Sequence, residues 1–547
     1  MNRICHYFKV ALSQLIKILK NPFKRDFLYF IFLWIIISFP SIIDSFKDFN
    51  FKHAMCFKYA IYTILLYYIL TYIIVCLLNI NKHIGKILRP IIFIGSYLFL
   101  LMNLYCIKTY NCIISYDIME IIKGTNIREV LEYLQVYLSL LYMILFFVLL
   151  FLGIALYFTA TKIQFKTNAV LHFCLQILLL VALAAIWHNP AVIKDVLIRN
   201  RWIIQGDEMI SLEYHLTNPK IFTSENTLPP QYVVIIIGES FAPSHSSLYG
   251  YGKETNPLLK GLVDCGNLIV YNHVTSPMTN TKTAFRYILN TFRLGMEQKS
   301  KWYNTPSLIE VMTTADYHTI WLSNQEEYGM FDNLPSGHSK ICNDAIFMTA
   351  DADGNKYDGA LIDIELSNSN QKQAVFYHLM GQHYKFKDRY PRTYDIFEYS
   401  DYQQTPPLQH HQQKHNQHQS EWMAEYDNAT LYNDWVVYSI IDKYKDWDTI
   451  IFYLSDHGLD IFDTDPEYCG HAKHTPESQA IGKKIPFMVY LSPKYQQIRP
   501  EATERIQHAV NKAFCTDKFI YAVMDAVGIK FMDNDDVARY SLFNGNE

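Results

Sequence analysis

The sequence predicts a membrane domain of five helices followed by an α/β domain with a largely parallel central sheet. Half of the 547 residues are hydrophobic, and the longest apolar stretches lie before residue 190. After residue 230, short runs of β-branched and aromatic residues alternate with helical patterns, which is typical of βα units and a parallel sheet. The net charge of −4 gives no indication of a nucleic-acid partner.

Five stretches have the length and apolar character needed to cross a bilayer, for which about 17 to 25 residues suffice. They are residues 27–43, 59–80, 91–107, 137–157 and 170–187. The first is too long for the apolar part of a signal peptide and has no small-residue cleavage site after it, so we expect it to remain as an anchor. Residues 1–188 are therefore predicted to form a membrane domain.

Basic residues in the short loops predict the orientation of these spans, because cytoplasmic loops are enriched in Lys and Arg. Those before the first span are Arg3, Lys9, Lys17, Lys20, Lys24 and Arg25, and those of the later loops are Lys82, Lys86, Arg89, Lys162 and Lys166. If these residues are cytoplasmic, an odd number of crossings carries the chain after residue 188 to the opposite side.

Two connecting segments are less regular. Residues 116–133 have an amphipathic pattern interrupted at 124–126, which favours a helix lying in the membrane interface. Residues 189–227 are punctuated by prolines and are predicted to be a linker, so that the α/β domain comprises residues 228–547.

Four cysteines of that domain allow one or two disulfides, whose pairing the sequence leaves open.

In the α/β domain, strands are predicted at 233–237, 317–322, 373–379, 449–454 and 487–491. Helices are predicted at 283–292, 307–314, 421–445 and 502–513.

Two of these strands end in residues that bind metals. The apolar run 233–237 is followed by Glu239 and Ser240, and the run 449–454 by Asp456 and His457. Since ligands of open α/β sheets bind at the carboxyl ends of the strands, the pair of strand ends predicts a metal site. A single carboxylate there is more often a turn or a helix cap. A GxSxG nucleophile at Ser240 is excluded, because Ala242 stands where the motif needs glycine.

Further candidate ligands follow other strands, namely Asn324, His378 and His383. Together with them, the chain carries an ordered set of short motifs. These are GES at 238–240, NPLL at 256–259, a Thr-x-Thr turn at 279–281, NQ at 324–325, HLMGQH at 378–383, RYP at 389–391, EYDNATLYND at 425–434, SDHG at 455–458 and GHAKH at 470–474. This order, with the five-span half before it, resembles the membrane-bound phosphoethanolamine transferases of Gram-negative bacteria, members of the alkaline phosphatase and sulfatase superfamily.

The resemblance implies a zinc enzyme of the inner membrane with a periplasmic catalytic domain. A threonine would take phosphoethanolamine from phosphatidylethanolamine and pass it to a sugar of lipopolysaccharide or lipooligosaccharide. The position that matches this nucleophile is Thr279, with Thr281 as a rival. Zinc would be held by Glu239, Thr279, Asp456 and His457, a set that suits it chemically. One zinc ion is expected, and the resemblance leaves a second open.

The resemblance also implies substrate contacts. His383 and His471 match the histidines around the transferring phosphate, where they bind a second metal or act as acid and base. Thr125 and Glu129 match the segment that contacts the lipid head group, and Asn324 of the NQ motif is expected to contact substrate as well.

Departures from the family pattern leave the acceptor open. Pro277-Met278 stand where members that modify lipid A have Cys-Gly, and Glu326 and Gly329 replace a serine and a lysine. The pattern is nearer to members that modify the core sugars. A phosphoglycerol transferase of the same superfamily and a non-catalytic zinc-binding envelope protein are the alternatives. A formylglycine-type sulfatase is excluded, because its Cys/Ser-x-Pro-x-Arg box is absent.

Residues 403–420 form a polar insertion rich in His and Gln. Such a tract either scavenges zinc or forms a mobile loop, and we favour the loop because nothing in it can bury a core.

Overall fold

The computed structural model describes residues 2–47, 53–114, 140–163, 168–188, 217–223, 228–297, 299–325, 334–348, 357–366, 371–402, 416–471 and 473–544. The chain divides into two compact units, one with the apolar helices before residue 189 and one with the residues from 217 onward. The predicted segment 116–133, with Thr125 and Glu129, lies outside the described residues, as do most of the predicted linker and residues 403–415.

The described part of the first unit consists of helices. They are α1 (Asn2–Lys20), α2 (Phe27–Lys47), α3 (His53–Leu78), α4 (Lys82–Tyr110), α5 (Leu140–Lys162) and α6 (Ala169–His188). By length and composition, four of them can cross a membrane, within α2, α3, α4 and α5, whereas the apolar part of α6 is shorter, Val170–Ala184. Each predicted span therefore falls on one of these helices, and the prediction of an apolar helical domain is confirmed.

A polar network joins the first unit's helices at one end. Arg89 at the start of α4 pairs with Asp26, just before α2, with 2.8 Å between Nη1 and Oδ1. Asn79, just after α3, donates a hydrogen bond to Asp26 Oδ2 at 2.7 Å and accepts one from Asn21 at 3.1 Å. The start of α2, the end of α3 and the start of α4 thus meet on one side. Lys82, also at that end, belongs to the loops predicted to be cytoplasmic.

Helix α1 is an element that the sequence analysis missed, since its residues were interpreted only as a basic stretch before the first span. It is too polar to cross a bilayer, and its 19 residues instead have an apolar face and a basic face.

The second unit is built on a seven-stranded mixed sheet in the order β3-β11-β8-β2-β7-β5-β6. Its strands are β2 (Tyr232–Gly238), β3 (Leu268–Val270), β5 (His318–Ser323), β6 (Asp344–Phe347), β7 (Gln373–His378), β8 (Thr449–Ser455) and β11 (Phe487–Leu491). The pairs β8–β2, β2–β7, β7–β5 and β5–β6 are parallel. Strand β11 is antiparallel to both neighbours, so the sheet is largely parallel, as predicted, with one reversed strand.

Short strand pairs and helices complete the unit. The short strands are β1 (Ile221–Thr223), β4 (Val274–Thr275), β9 (Asp460–Ile461), β10 (Cys469–Gly470), β12 (Phe514–Cys515) and β13 (Ile529–Phe531). The helices are α7 (Pro257–Asp264), α8 (Thr281–Ile288), α9 (Leu308–Thr314), α10 (Leu334–Ser339), α11 (Gln417–Tyr444), α12 (Pro476–Lys483), α13 (Pro493–Ile498), α14 (Pro500–His508), α15 (Phe519–Val527) and α16 (Asp536–Tyr540). Strand β1 pairs with β13, so this piece of the predicted linker is part of the sheet-containing unit.

Strand β2 explains why its sequence is apolar without alternation. Val233, Ile235 and Ile237 pack into one core cluster, which also holds α15. Val234 and Ile236 pack into a second cluster, which contains the apolar side chains of α11. A central strand covered on both faces must be apolar at every position. Among the eight cysteines whose side chains the structure describes, none forms a disulfide.

Candidate active site

Two neighbouring strand ends bring the acidic residues together. Strands β2 and β8 pair in parallel through Gly238 and Ser455, so Glu239 and Asp456 leave the sheet side by side. The Asp456 amide donates a hydrogen bond to the Gly238 carbonyl at 3.0 Å, which continues the ladder by one residue. Glu239, Asp456 and His457 are all buried.

These three residues form a compact cluster of metal-ligating atoms, all within 4.8 Å of one another. The Nε2 atom of His457 lies 3.3 Å from Glu239 Oε1 and 3.4 Å from Asp456 Oδ2. Among the residues that the structure describes, it is the one such group of three or more His, Cys, Asp or Glu side chains. The metal site predicted from the two strand ends therefore has a geometric basis.

Hydrogen bonds around the cluster orient its ligand atoms. His457 Nδ1 lies 2.9 Å from the carbonyl of Gly458, so Nδ1 carries a proton and Nε2 faces the carboxylates. Asp456 Oδ1 accepts the backbone amides of His457 and Ser240, at 2.7 and 3.2 Å. Its Oδ2 is buried without a hydrogen bond. An imidazole nitrogen and carboxylate oxygens that face each other at this distance need positive charge between them, which either a proton on Nε2 or a metal ion can supply.

The electrostatics of the cluster lead to the same conclusion. Burial, reinforced by the charge of Glu239, raises the pKa of Asp456 to about 8. Burial also opposes the charged form of His457, but Asp456 and Glu239 raise its pKa to about 9. For Glu239 burial is outweighed by the nearby imidazolium, which holds its pKa well below the usual range. Protons thus supply the positive charge here, and a divalent cation can replace them. One imidazole and two carboxylates suit zinc.

Thr281, rather than Thr279, reaches this cluster. Its Oγ1 donates a hydrogen bond to Glu239 Oε2 at 3.0 Å and lies 3.4 Å from His457 Nε2. Thr281 is the first residue of α8, and Asn280 caps that helix by accepting the amide of Thr283 at 3.0 Å.

Thr279 lies before the cap, and its side chain packs against α12. Its Cγ2 methyl packs against Gly482, where an added β-carbon would be 3.1 Å away. The threonine side-chain hydrogen bond to Glu239 comes from Thr281. The position of the helix start explains the difference from the prediction: α8 begins at residue 281 and not at 283, so the rival threonine occupies its first turn.

Of the predicted histidines, His471 has its ring centroid 4.5 Å from that of His457. Burial and the positive His457 lower the pKa of His471 to about 3, which keeps this ring neutral. His383 lies in the loop after β7, close enough for its charge to lower the pKa of Glu239.

The remaining candidates are His378 and Asn324. His378 is not part of the ligand cluster: it ends β7, with Nδ1 3.1 Å from Ser323 Oγ, and burial lowers its pKa to about 4. Asn324 donates a hydrogen bond to Asp358 at 2.8 Å. Both side chains are buried.

Two contributors were missed by the sequence analysis. Asp358 accepts the backbone amides of Met380 and Gly381, each at 2.8 Å, and so fixes the loop that carries His383. Gln325 donates to the Leu379 carbonyl at 2.8 Å and reaches Glu239 Oε2 at 3.5 Å. The NQ and HLMGQH motifs contain Gln325, Met380 and Gly381, whereas Asp358 carries no sequence signal.

Comparison with known proteins identifies relatives with a similar sequence and solved structures with a similar fold. The chain is 29% identical over 320 residues to phosphoethanolamine transferase EptC of Escherichia coli O18:K1:H7 (strain RS218 / NMEC), which covers 57% of this chain and 53% of that protein. It thus spans about half the length of the curated relatives it matches.

Two solved structures share its fold. The C-terminal periplasmic domain of Escherichia coli EptC, in a complex with Zn, aligns with a TM-score of 0.53 and 27% identity over 60% of this chain and 89% of that chain. The integral membrane protein lipooligosaccharide phosphoethanolamine transferase A from Neisseria meningitidis aligns with a TM-score of 0.66 over 94% and 97% of the two chains, at 17% identity. The second likeness extends the shared fold to the apolar helices.

The model of the family described as Sulfatase matches residues 231–529. This match spans more than half of the chain and includes Glu239, Asp456 and His457, and the chain therefore belongs to the sulfatase family.

Proposed function

We propose that this protein is a zinc-dependent phosphoethanolamine transferase that works through a covalent intermediate on Thr281. The observation that carries the proposal is the hydroxyl of Thr281 within 3.0 Å of Glu239 and 3.4 Å of His457, in a buried cluster suited to a divalent metal. The likeness to EptC, whose periplasmic domain is known in a complex with Zn, supports both the metal and the activity.

In this proposal Glu239, Asp456, His457 and the Thr281 oxygen hold zinc, which supplies the Lewis acidity that makes a hydroxyl nucleophilic near neutral pH. Thr281 Oγ1 attacks the phosphorus of the donor lipid. A new P–O bond forms to Thr281, and the bond from phosphorus to the diacylglycerol oxygen breaks. The hydroxyl proton leaves through the hydrogen bond to Glu239 Oε2.

The second half of the reaction reverses these roles. A hydroxyl of the acceptor attacks the same phosphorus, and Thr281 Oγ1 leaves and regains a proton. The first turn of α8 assists both halves, because the positive end of a helix stabilises negative charge on an oxygen at that position. His383 and His471 are proposed to bind the phosphate oxygens and to move the proton of the leaving group.

The donor is proposed to be phosphatidylethanolamine, which explains why a catalytic domain of this type is joined to apolar helices. The acceptor is proposed to be a sugar of lipopolysaccharide or lipooligosaccharide, which places the catalytic domain on the periplasmic side of the inner membrane. Thr125 and Glu129 are proposed to contact the lipid head group.

The test is to incubate intact protein with phosphatidylethanolamine and locate the added mass by peptide mass spectrometry. We expect phosphoethanolamine on Thr281, no adduct in Thr281→Ala, and an adduct in Thr279→Ala, the matched control. An adduct on Thr279 would refute the assignment. Labelling by phosphatidylglycerol instead would make the protein a phosphoglycerol transferase, and zinc binding without any adduct would make it non-catalytic.

A further inference from the structure

Helix α1 carries an apolar face that the described residues of its unit leave about half exposed. Leu12, Leu15, Ile16 and Leu19 follow the i, i+3, i+4, i+7 spacing that puts them on one side of a helix. Their exposed fractions lie between 41 and 50%. Four large aliphatic side chains on one stripe are too many to leave in water without a partner.

The face of α1 that adjoins this stripe is basic. Lys9, Lys17 and Lys20 lie there with Ser13 between them, at spacings of i, i+4, i+8 and i+11. The sequence contains no Asp or Glu before Asp26, and Asp26 is paired with Arg89. The positive charge of α1 is therefore not neutralised by a carboxylate of its own segment.

Contacts at the end of α1 fix the level at which the helix leaves the bundle. Tyr72 donates a hydrogen bond to the Leu19 carbonyl at 3.0 Å, and Cys76 donates a weak one to the Ile18 carbonyl at 3.8 Å. Both donors lie in the last two turns of α3. The buried Phe23 stacks on Tyr72 with 5.3 Å between ring centroids. The end of α1 is thus held where the apolar spans Phe27–Asp44 of α2 and Ala60–Leu78 of α3 have their ends.

We propose that α1 lies in the cytoplasmic membrane interface and binds anionic glycerophospholipids there. The leucine and isoleucine side chains enter the acyl boundary, and the three lysines contact the phosphates of anionic lipids. An amphipathic helix with a basic polar face is suited to this location, and clustered Lys beside a span attract anionic lipid. We assign α1 to the cytoplasmic side because Lys82 and Lys86, which belong to the loops predicted to be cytoplasmic, lie at the same end of the bundle. This role is independent of the transferase reaction.

Amide hydrogen exchange of the intact protein tests the proposal, since an isolated 19-residue helix is only marginally stable in water. The protein is placed in nanodiscs of phosphatidylcholine, with or without phosphatidylglycerol. We expect amides of residues 9–20 to exchange more slowly with phosphatidylglycerol present, on the order of tenfold. High salt should remove that difference, because it screens surface charges.

Matched variants separate charge from apolar contact. Lys9→Gln/Lys17→Gln/Lys20→Gln should abolish the effect of phosphatidylglycerol, whereas the triple change of the same lysines to Arg should preserve it. Leu12→Gln/Leu15→Gln should speed exchange in both nanodiscs, and Leu15→Met should not. Equal exchange in the two lipids overturns the proposal, as does protection that depends on protein concentration, which would assign the face to a second copy of the chain.

Discussion

Gly381 packs directly on the backbone of Glu239. A β-carbon at residue 381 would lie 2.9 Å from both the nitrogen and the oxygen of Glu239, and the glycine has a φ of +51°. The backbone amide of the next residue, Gln382, donates a hydrogen bond to the same Glu239 carbonyl oxygen at 3.0 Å. The loop after β7 therefore packs against the backbone of a residue that supplies one carboxylate of the candidate metal cluster.

We predict that Gly381→Ala lowers zinc content and transfer activity together. The left-handed backbone costs alanine on the order of 1 kcal/mol, and the contact with Glu239 backbone forces a shift of the carboxylate. Zinc per protein, measured by elemental analysis, and transfer rate are the two readouts. Gly252→Ala is the control, because nothing lies within 4 Å of its added carbon. Normal zinc content and rate in Gly381→Ala would contradict the prediction.

Asp358 is predicted to position the same loop. Asn at this place leaves one of the amides of Met380 and Gly381 facing an NH₂ group, and an unsatisfied buried donor costs roughly 1–3 kcal/mol. We expect Asp358→Asn to lower kcat at least about tenfold, by the same energy scale, while zinc stays bound. Asp264→Asn, in an exposed pair with Lys260, should leave kcat unchanged. An unchanged kcat with a lowered melting temperature would make Asp358 purely structural.

The sequence could predict the sheet and the cluster of candidate metal ligands because both depend on local patterns. The apolar runs of β2 and β8 identify central strands, and their parallel pairing makes the ends adjacent, so Glu239, Asp456 and His457 could be proposed before any geometry was known. Strand β11 has the same apolar pattern whether parallel or antiparallel, so its direction could not be predicted.

Other features depend on where an element begins or on contacts distant in sequence. The choice between Thr279 and Thr281 rests on the first residue of α8, and helix ends are the least certain part of a pattern. Asp358 acts through backbone amides 22 and 23 residues later, a relationship that no spacing rule contains. The amphipathic pattern of α1 was present in the sequence, but its positive charge was used only to orient the spans.

Asp456→Asn is predicted to abolish zinc binding and turnover. It removes a charge that offsets the cation and changes only one atom, so the fold should persist. We expect zinc below detection and transfer lowered at least about a thousandfold, in line with the loss of a metal that activates an oxygen nucleophile. Thr281→Ala should instead keep most of its zinc, because three ligands remain, while losing transfer. Full activity of Asp456→Asn, or of protein treated with a chelator, would disprove the metal mechanism.

His338 is predicted to make the protein sensitive to acid. It is fully buried on α10, and burial lowers its pKa to about 4, whereas a hydrogen bond to the Phe285 carbonyl at 3.4 Å opposes the shift. Since the folded-state pKa is depressed, the neutral ring stabilises the fold above the unfolded pKa of about 6.5. That contribution is lost as the pH falls from 6.5 toward 4, because the unfolded chain binds the proton first. The free energy of unfolding falls by roughly 2 kcal/mol at pH 5.

The measurement compares thermal unfolding of His338→Gln with the unchanged protein at pH 7.5 and at pH 5. Glutamine is neutral at both pH values, so the variant lacks the pH-dependent contribution of His338. The variant should have the lower melting temperature at pH 7.5, and the gap in melting temperature between the two proteins should narrow by a few degrees at pH 5. His273→Gln, at an exposed position, should show no such change with pH. Because other buried groups also titrate, the decisive quantity is the gap between the two proteins, and a gap that stays constant would refute the prediction.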